Sequence, residues 1–230
     1  MSISSILKFK MENDKKAAIA LNRAVDGVAQ NNRSVLGDVH SGLERASWYG
    51  SCFFDSYADV CAQLKTEDKR FLKNIFEIYN RKDIIADMIR MYLEEELKFI
   101  NNNQIGSLNA SLAKVLSNYY GGMSTKVSIA NALSIIVVNS FHFKTEVMAQ
   151  INKYALLVVT LASLYGKIQA AAMAARNLKI ISPALYSTLY NNNMEMLYFL
   201  VSEKINKALI ASMGLRGEER IVSIMKSLAY

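Results

Sequence analysis

One proline, ten glycines, two histidines and two cysteines among 230 residues leave little room for several kinds of protein. Strand-rich and α/β folds punctuate the chain with turn residues, because glycine supplies positive φ and proline presets φ for a turn. This chain has almost none. Two histidines and two cysteines are also a poor store of metal ligands. No His-x-x-x-His, Cys-x-x-Cys or Glu-x-x-His spacing occurs, so zinc and di-iron centres lack their donor sets. Neither a metal nor a cofactor is expected.

Catalytic patterns are missing as well. A serine triad has only His40 or His142 to draw on, and no nucleophile elbow occurs. Cys52 has no basic neighbour to make it a nucleophile. "GLRGEER" lacks the spacing and the lysine of a phosphate loop. Asp55 and Asp59, one helical turn apart, suit a solvated face better than acid–base work, and Glu94 to Glu96 should face solvent. The chain reads as a non-enzyme. Its start, "MSISSILKFKMENDKK", lacks a signal-peptide layout. Synthesis in the cytoplasm without a cleaved signal is expected, with any export by a signal-independent secretion system. Read as one helix, 43–64 puts Cys52 and Cys61 on opposite faces, about 13 Å apart along the axis. That is too far to bridge, and two reduced thiols are expected.

What is present is hydrophobic mass (52%) with modest charge (20%), which excludes disorder. Alanine, leucine, lysine, glutamate and methionine dominate, all good helix formers. The prediction is all-α: a single helical bundle of about 8–10 helices, one domain over 1–230, with a central apolar helical hairpin. Periodicity places helices over 3–29 and 43–64, then one starting at an N-cap Thr66 with Glu67 and Asp68 in its first turn. "DIIADMIRMYLEEELKFI" and "SLNASLAKVLSNYYGG" follow, with Gly121 as a left-handed C-cap and Gly121-Gly122 as an internal boundary. Ser182-Pro183 opens a helix with proline at its first position. An amphipathic helix, Glu218 to Ala229, closes the chain.

Charge divides at that boundary. Residues 1–120 hold 16 Lys/Arg and 15 Asp/Glu, a near-neutral half, whereas 121–230 hold 11 and 5, a net of +6. The basic half is also the more apolar. "VSIANALSIIVVNSFHF" (127–143) has no formal charge, and "YALLVVTLASLYGKIQAAAMAA" (154–175) has only Lys167. A membrane span needs about 20 apolar residues. The first run is just short, and the lysine in the second costs about 2.5–3.5 kcal/mol near a helix centre. Neither is a constitutive transmembrane helix. Two roles remain: the core hairpin of a globular bundle, or a latent hairpin that exchanges its protein wrapping for lipid.

These two runs resemble the apolar hairpin of helical pore-forming bacterial toxins of the colicin type. The likeness covers about 50 residues and is one of layout; here some 55 residues follow the hairpin, which in that family lies near the chain end. It implies a bacterial effector or toxin that inserts the hairpin 127–175 and permeabilises a target membrane. Ile135, Val138, Leu157, Val158, Leu161 and Leu164 are the expected lipid-facing positions, and Lys144, Lys153 and Lys167 the headgroup anchors. An anionic lipid membrane is the expected partner, with an immunity or chaperone protein beside it; nucleic acid is not. His142, between Phe141 and Phe143, is expected in a core or at an interface; if it titrates there, it would sense mild acid. In the alternative reading the chain is a soluble interaction protein (immunity, adaptor or scaffold). Tyr186, Tyr190 and Tyr198, spaced along an apolar helix edge, would form its partner surface.

Overall fold

The computed structural model describes residues 42–81, 83–140, 143 and 161–229. The fold is all-α, and no strand occurs among these residues. Helix α1 (42–48) leads through 3-10 turns at Tyr49–Phe53 and Asp55–Tyr57 into α2 (Ala58–Asn80). Then come α3 (Ile84–Leu97), α4 (Ile105–Val115), α5 (Lys126–Asn139), α6 (Leu161–Ile181) and α7 (Pro183–Asn191). A 3-10 segment, Glu195–Leu200, joins α7 to α8 (Ser202–Ala211), and α9 (Gly217–Ala229) ends the chain.

Local chemistry explains most of the boundaries. The Asp83 carboxylate accepts the Ala86 N–H at the start of α3, satisfying a donor that has no helical partner. Thr125 and Ser128 cap each other's backbone N–H groups at the start of α5. Pro183 is the first residue of α7, where its missing N–H costs nothing. Gly214 and Gly217, at φ +79° and +55°, make the tight turn from α8 to α9 that a side chain would strain.

One large core spans both halves of the chain. Met88, Ile89, Leu93 and Leu97 of α3 meet Ile129, Leu133 and Val137 of α5, and Ile221, Ile224 and Leu228 of α9 close over them; all are buried. Burying Ile129, Leu133 and Val137 alone stabilises by about 5–9 kcal/mol, at about 1.5–3 per side chain. That figure is an upper bound, because the unfolded chain already hides some surface. A smaller cluster joins α2, α6 and the 195–200 segment through Phe71, Ile168, Ala171, Ala172, Ala175 and Met196. Three alanines at that seam leave little apolar area, so α6 is held there largely by polar contacts.

Several expectations give way. No continuous helix covers 43–64: Phe54 is extended (φ −126°, ψ 123°), and the chain folds back around it. Cys52 and Cys61 are thereby brought to a Cα separation of 4.9 Å and form a disulfide. Thr66 is no N-cap. It lies inside α2, where its hydroxyl donates back to the Ala62 carbonyl. Helix α4 ends at Val115, and the left-handed glycine is Gly122 (φ +99°), not Gly121. Glu96 does not face solvent. It is buried on α3 and receives two hydrogen bonds, 2.6 and 2.9 Å, from Arg220 of α9.

Candidate functional site

Helix α5 carries no charged side chain after Lys126. Its inner stripe, Ile129, Leu133 and Val137, repeats every fourth residue and faces the core. Its outer stripe repeats in the same way as Val127, Asn131, Ile135 and Asn139, all exposed, with Ile135 at 58%. Ile135 thus lies on open surface. Val138 does not; it is half-buried against the core. The stripe borders a shallow cavity of about 310 Å³ lined by Leu116, Asn118, Ile135, Ile136 and Asn139.

The second apolar run enters the described residues at α6. Leu161 and Leu164 lie on its first turn; the surroundings of their side chains, like Leu157, Val158, Lys144, Lys153 and His142 as a whole, lie outside the described residues. Lys167 is half-buried. Met173, Ile180 and Ile181 are exposed on the outward side.

The tyrosine-rich stretch is divided by its local structure. Tyr186 and Tyr190, one turn apart on α7, put their ring centres 5.8 Å apart. Tyr198, on the 3-10 segment, is fully buried and donates its hydroxyl hydrogen to Asn206 at 2.9 Å, so it is no part of a surface. Beside Tyr186 and Tyr190 lies a groove of about 320 Å³ between α2, α6 and α7. Arg70 of α2 makes paired 2.6 Å hydrogen bonds to Glu195, a 2.9 Å bond to Asn193, and sits 3.8 Å from the Tyr190 ring centre. Burial alone lowers the Arg70 pKa, but the hydrogen bonds and charge of Glu195 outweigh it and hold the group above its ordinary value. Burial also raises the Tyr186 hydroxyl, and Glu195 adds to the rise.

Glu67 is shared between two guanidinium groups. Arg176 of α6 grips it at 2.7 and 2.8 Å, and Arg45 of α1 reaches it at 3.2 Å. Arg45 is wholly buried; it also bonds Asp68 at 2.6 Å, Gln169 of α6 at 3.1 Å and the Leu64 carbonyl at 3.2 Å. Three guanidinium groups, those of Arg45, Arg70 and Arg176, thus meet carboxylates and carbonyls, and together they clamp α6 to α2. The groove holds no nucleophile beside a base. Among the described residues no group of three His, Cys, Asp or Glu is arranged around a cation position. Periodicity does not single out Arg45, Glu67, Arg70 or Arg176. Arg45 and Gln169 are 124 positions apart in sequence, so no local pattern links them.

Compared with known proteins, the chain matches no family model, no curated protein and no solved structure. No helix among the described residues is long and apolar enough to cross a membrane.

Proposed function

We propose that the protein is membrane-active: a helical protein of bacterial effector or toxin type that lays apolar parts of 127–175 into a target bilayer and permeabilises it. The observation that carries this reading is the outer stripe of α5. A surface helix of a globular protein puts charged and polar groups outward. This one presents Val127, Asn131, Ile135 and Asn139 and no charge. Leaving the core would forfeit the burial of Ile129, Leu133 and Val137, but acyl chains are as apolar as leucine and return it. The basic half draws this face towards anionic headgroups. Helix α5, about 21 Å long at 1.5 Å per residue, penetrates rather than spans a hydrocarbon core of about 30 Å. A disulfide at Cys52–Cys61 suits a chain that works in an oxidising compartment.

Dye release from anionic vesicles tests the reading, with Ile135→Asp as the decisive variant. Ile135 is mostly exposed, so the substitution should change stability by only about 0.5 kcal/mol. A charge there costs about 2.5–3.5 kcal/mol in lipid, so leakage should fall at least 10-fold. If the parent protein leaves vesicles intact between about pH 5 and 8 at every lipid charge, the proposal is wrong. The alternative, an interaction protein, is favoured by the buried inner stripe of α5 and by Tyr190, exposed at the groove edge. It predicts intact vesicles and a partner lost on Tyr190→Ala.

A further inference from the structure

The disulfide-braced turn between α1 and α2 has a character unlike the rest of the molecule. Trp48, Phe54 and Tyr57 line a shallow notch of about 430 Å³, with Ser47, Ser51 and Val60 completing it. The Phe54 and Tyr57 rings stand at 90° to each other, centres 6.5 Å apart, and form a corner. Both are more than half exposed. The Trp48 ring already attracts one cation, the Arg176 guanidinium at 5.5 Å. Buried Ser51 Oγ has no hydrogen-bond partner, and Ser51 lines the same notch.

The electrostatics point the same way. The protein carries a net charge of +7, yet from Ala46 to Leu64 its only charged side chains are Asp55 and Asp59, both exposed. Asp55 lies between Phe54 and Tyr57 in the chain, and Asp59 two residues beyond. Three aromatic side chains, with two exposed carboxylates close by in the sequence and no lysine or arginine between Ala46 and Leu64, suit a weakly hydrated cation that joins the Arg176 guanidinium already at Trp48, because ring quadrupoles attract positive charge that has little water to lose. An ordinary apolar partner would not need the carboxylates, and an anionic one would be repelled by them.

We propose that this notch binds an organic cation of the quaternary-ammonium type, such as the trimethylammonium end of a choline group. Trp48, Phe54 and Tyr57 hold the cation, Asp55 and Asp59 supply the field, and the Ser51 hydroxyl is the donor for an oxygen elsewhere on the ligand. The disulfide between Cys52 and Cys61 keeps the corner preformed, which lowers the ordering cost of binding. The choline group could belong to a free small molecule or to a lipid headgroup; the chemistry at the notch is the same. This assignment does not rest on membrane permeabilisation.

Trp48 is the only tryptophan, so its fluorescence reports on the notch directly. The full chain is titrated with tetramethylammonium, with phosphocholine and with 3,3-dimethyl-1-butanol, a neutral isostere of choline. Saturable change with both quaternary-ammonium ligands is expected, with the neutral compound at least about 10-fold weaker for three lost cation–ring contacts. Phe54→Ala and Tyr57→Ala should each weaken binding about 2- to 5-fold, Asp55→Asn should do so most at low salt, and Tyr57→Phe should leave it intact. Circular dichroism confirms that the variants fold, and Tyr57→Phe against Tyr57→Ala separates ring loss from a general disturbance. Phosphatidylcholine and phosphatidylglycerol vesicles then distinguish the sources. A Trp48 shift with the former assigns the headgroup; a response confined to free phosphocholine assigns the small molecule. Equal affinity for the neutral isostere overturns the proposal, as does no saturable response to about 100 mM cation. An equal shift with both vesicle types and none with free cation would also overturn it, as plain apolar adsorption. Vesicle leakage is not read in any arm, so failure of the membrane function leaves this test unaffected.

Discussion

Tyr92→Phe should make the protein more stable. Tyr92 of α3 is 1% exposed in the main core, and its hydroxyl has no hydrogen-bond partner. An unsatisfied buried hydroxyl costs about 1–3 kcal/mol relative to its hydrated state in the unfolded chain. Phenylalanine keeps the ring and its contacts and removes that cost, less a little for the space the oxygen leaves. A gain of about 1 kcal/mol near pH 7 is expected. A second signature comes from ionisation. Burial, then the nearby Glu96 carboxylate, drives the Tyr92 pKa far above 10, against a smaller opposing pull from Arg220. In the unfolded chain a tyrosine ionises from about pH 10. Above that pH the unfolded state binds fewer protons than the folded one, so stability falls as pH rises. The Tyr92 share is therefore fully present below about pH 10 and falls by about 1.4 kcal/mol per pH unit above it. Urea unfolding followed by circular dichroism at pH 7, 10 and 11 should show the variant ahead throughout, its lead widening by up to about 1.4 kcal/mol from pH 10 to 11. A loss of more than 1 kcal/mol at pH 7 would mean that the hydroxyl has a partner. A lead independent of pH would refute the ionisation argument.

Tyr198→Phe is the contrasting case: its hydroxyl is bonded to Asn206, so the variant should lose about 1 kcal/mol at pH 7. Burial also holds the Tyr198 pKa well above its ordinary value, so that loss should shrink above about pH 10 in the same urea series. Arg220→Met strands the Glu96 carboxylate on α3. The cost should be about 2–3 kcal/mol in chemical unfolding, below the about 3–5 of a fully buried pair because Arg220 is a quarter exposed. Cys52→Ser with Cys61→Ser opens a loop with a sequence separation of nine and should cost about 2.5 kcal/mol by loop entropy. The parent protein under reductant should match the double variant in thermal unfolding; no difference between oxidised and reduced protein would show that the bridge does not form in solution.

The parts of the fold legible in the sequence are those decided within a few residues. Ser182-Pro183 opens α7 as expected, and the amphipathic pattern from Glu218 gives α9, because caps and stripes are local. The errors come from distant partners or from chain reversals that the local pattern does not show. Thr66-Glu67-Asp68 has the form of a helix start, yet the two carboxylates sit inside α2 and are taken up by Arg45 and Arg176. Glu96 follows two acidic neighbours that look solvated, and only the position of α9 reveals Arg220 opposite it. The nine-residue spacing of Cys52 and Cys61 misleads because the chain reverses at Phe54 without a proline, and a helical spacing rule then has no meaning.

The apolar run 127–143 shows the deeper reason. Hydropathy records how strongly a segment avoids water, summed around the helix, but not which neighbour covers which side. In α5 the buried stripe Ile129, Leu133, Val137 and the open stripe Val127, Asn131, Ile135, Asn139 are nearly alike in side-chain character apart from two asparagines. With so small a contrast, composition gives little preference for one face as the inside. The packing of α3 and α9 makes that choice, and it leaves Ile135 in water. A core helix that needed only to be a core helix would gain solubility from a lysine or glutamate at 135 at no cost to packing. Ile135→Lys therefore separates the two roles. If it folds with unchanged stability and vesicle leakage disappears, the isoleucine serves the bilayer. If leakage persists undiminished in the lysine variant, the outer stripe of α5 plays no part in insertion.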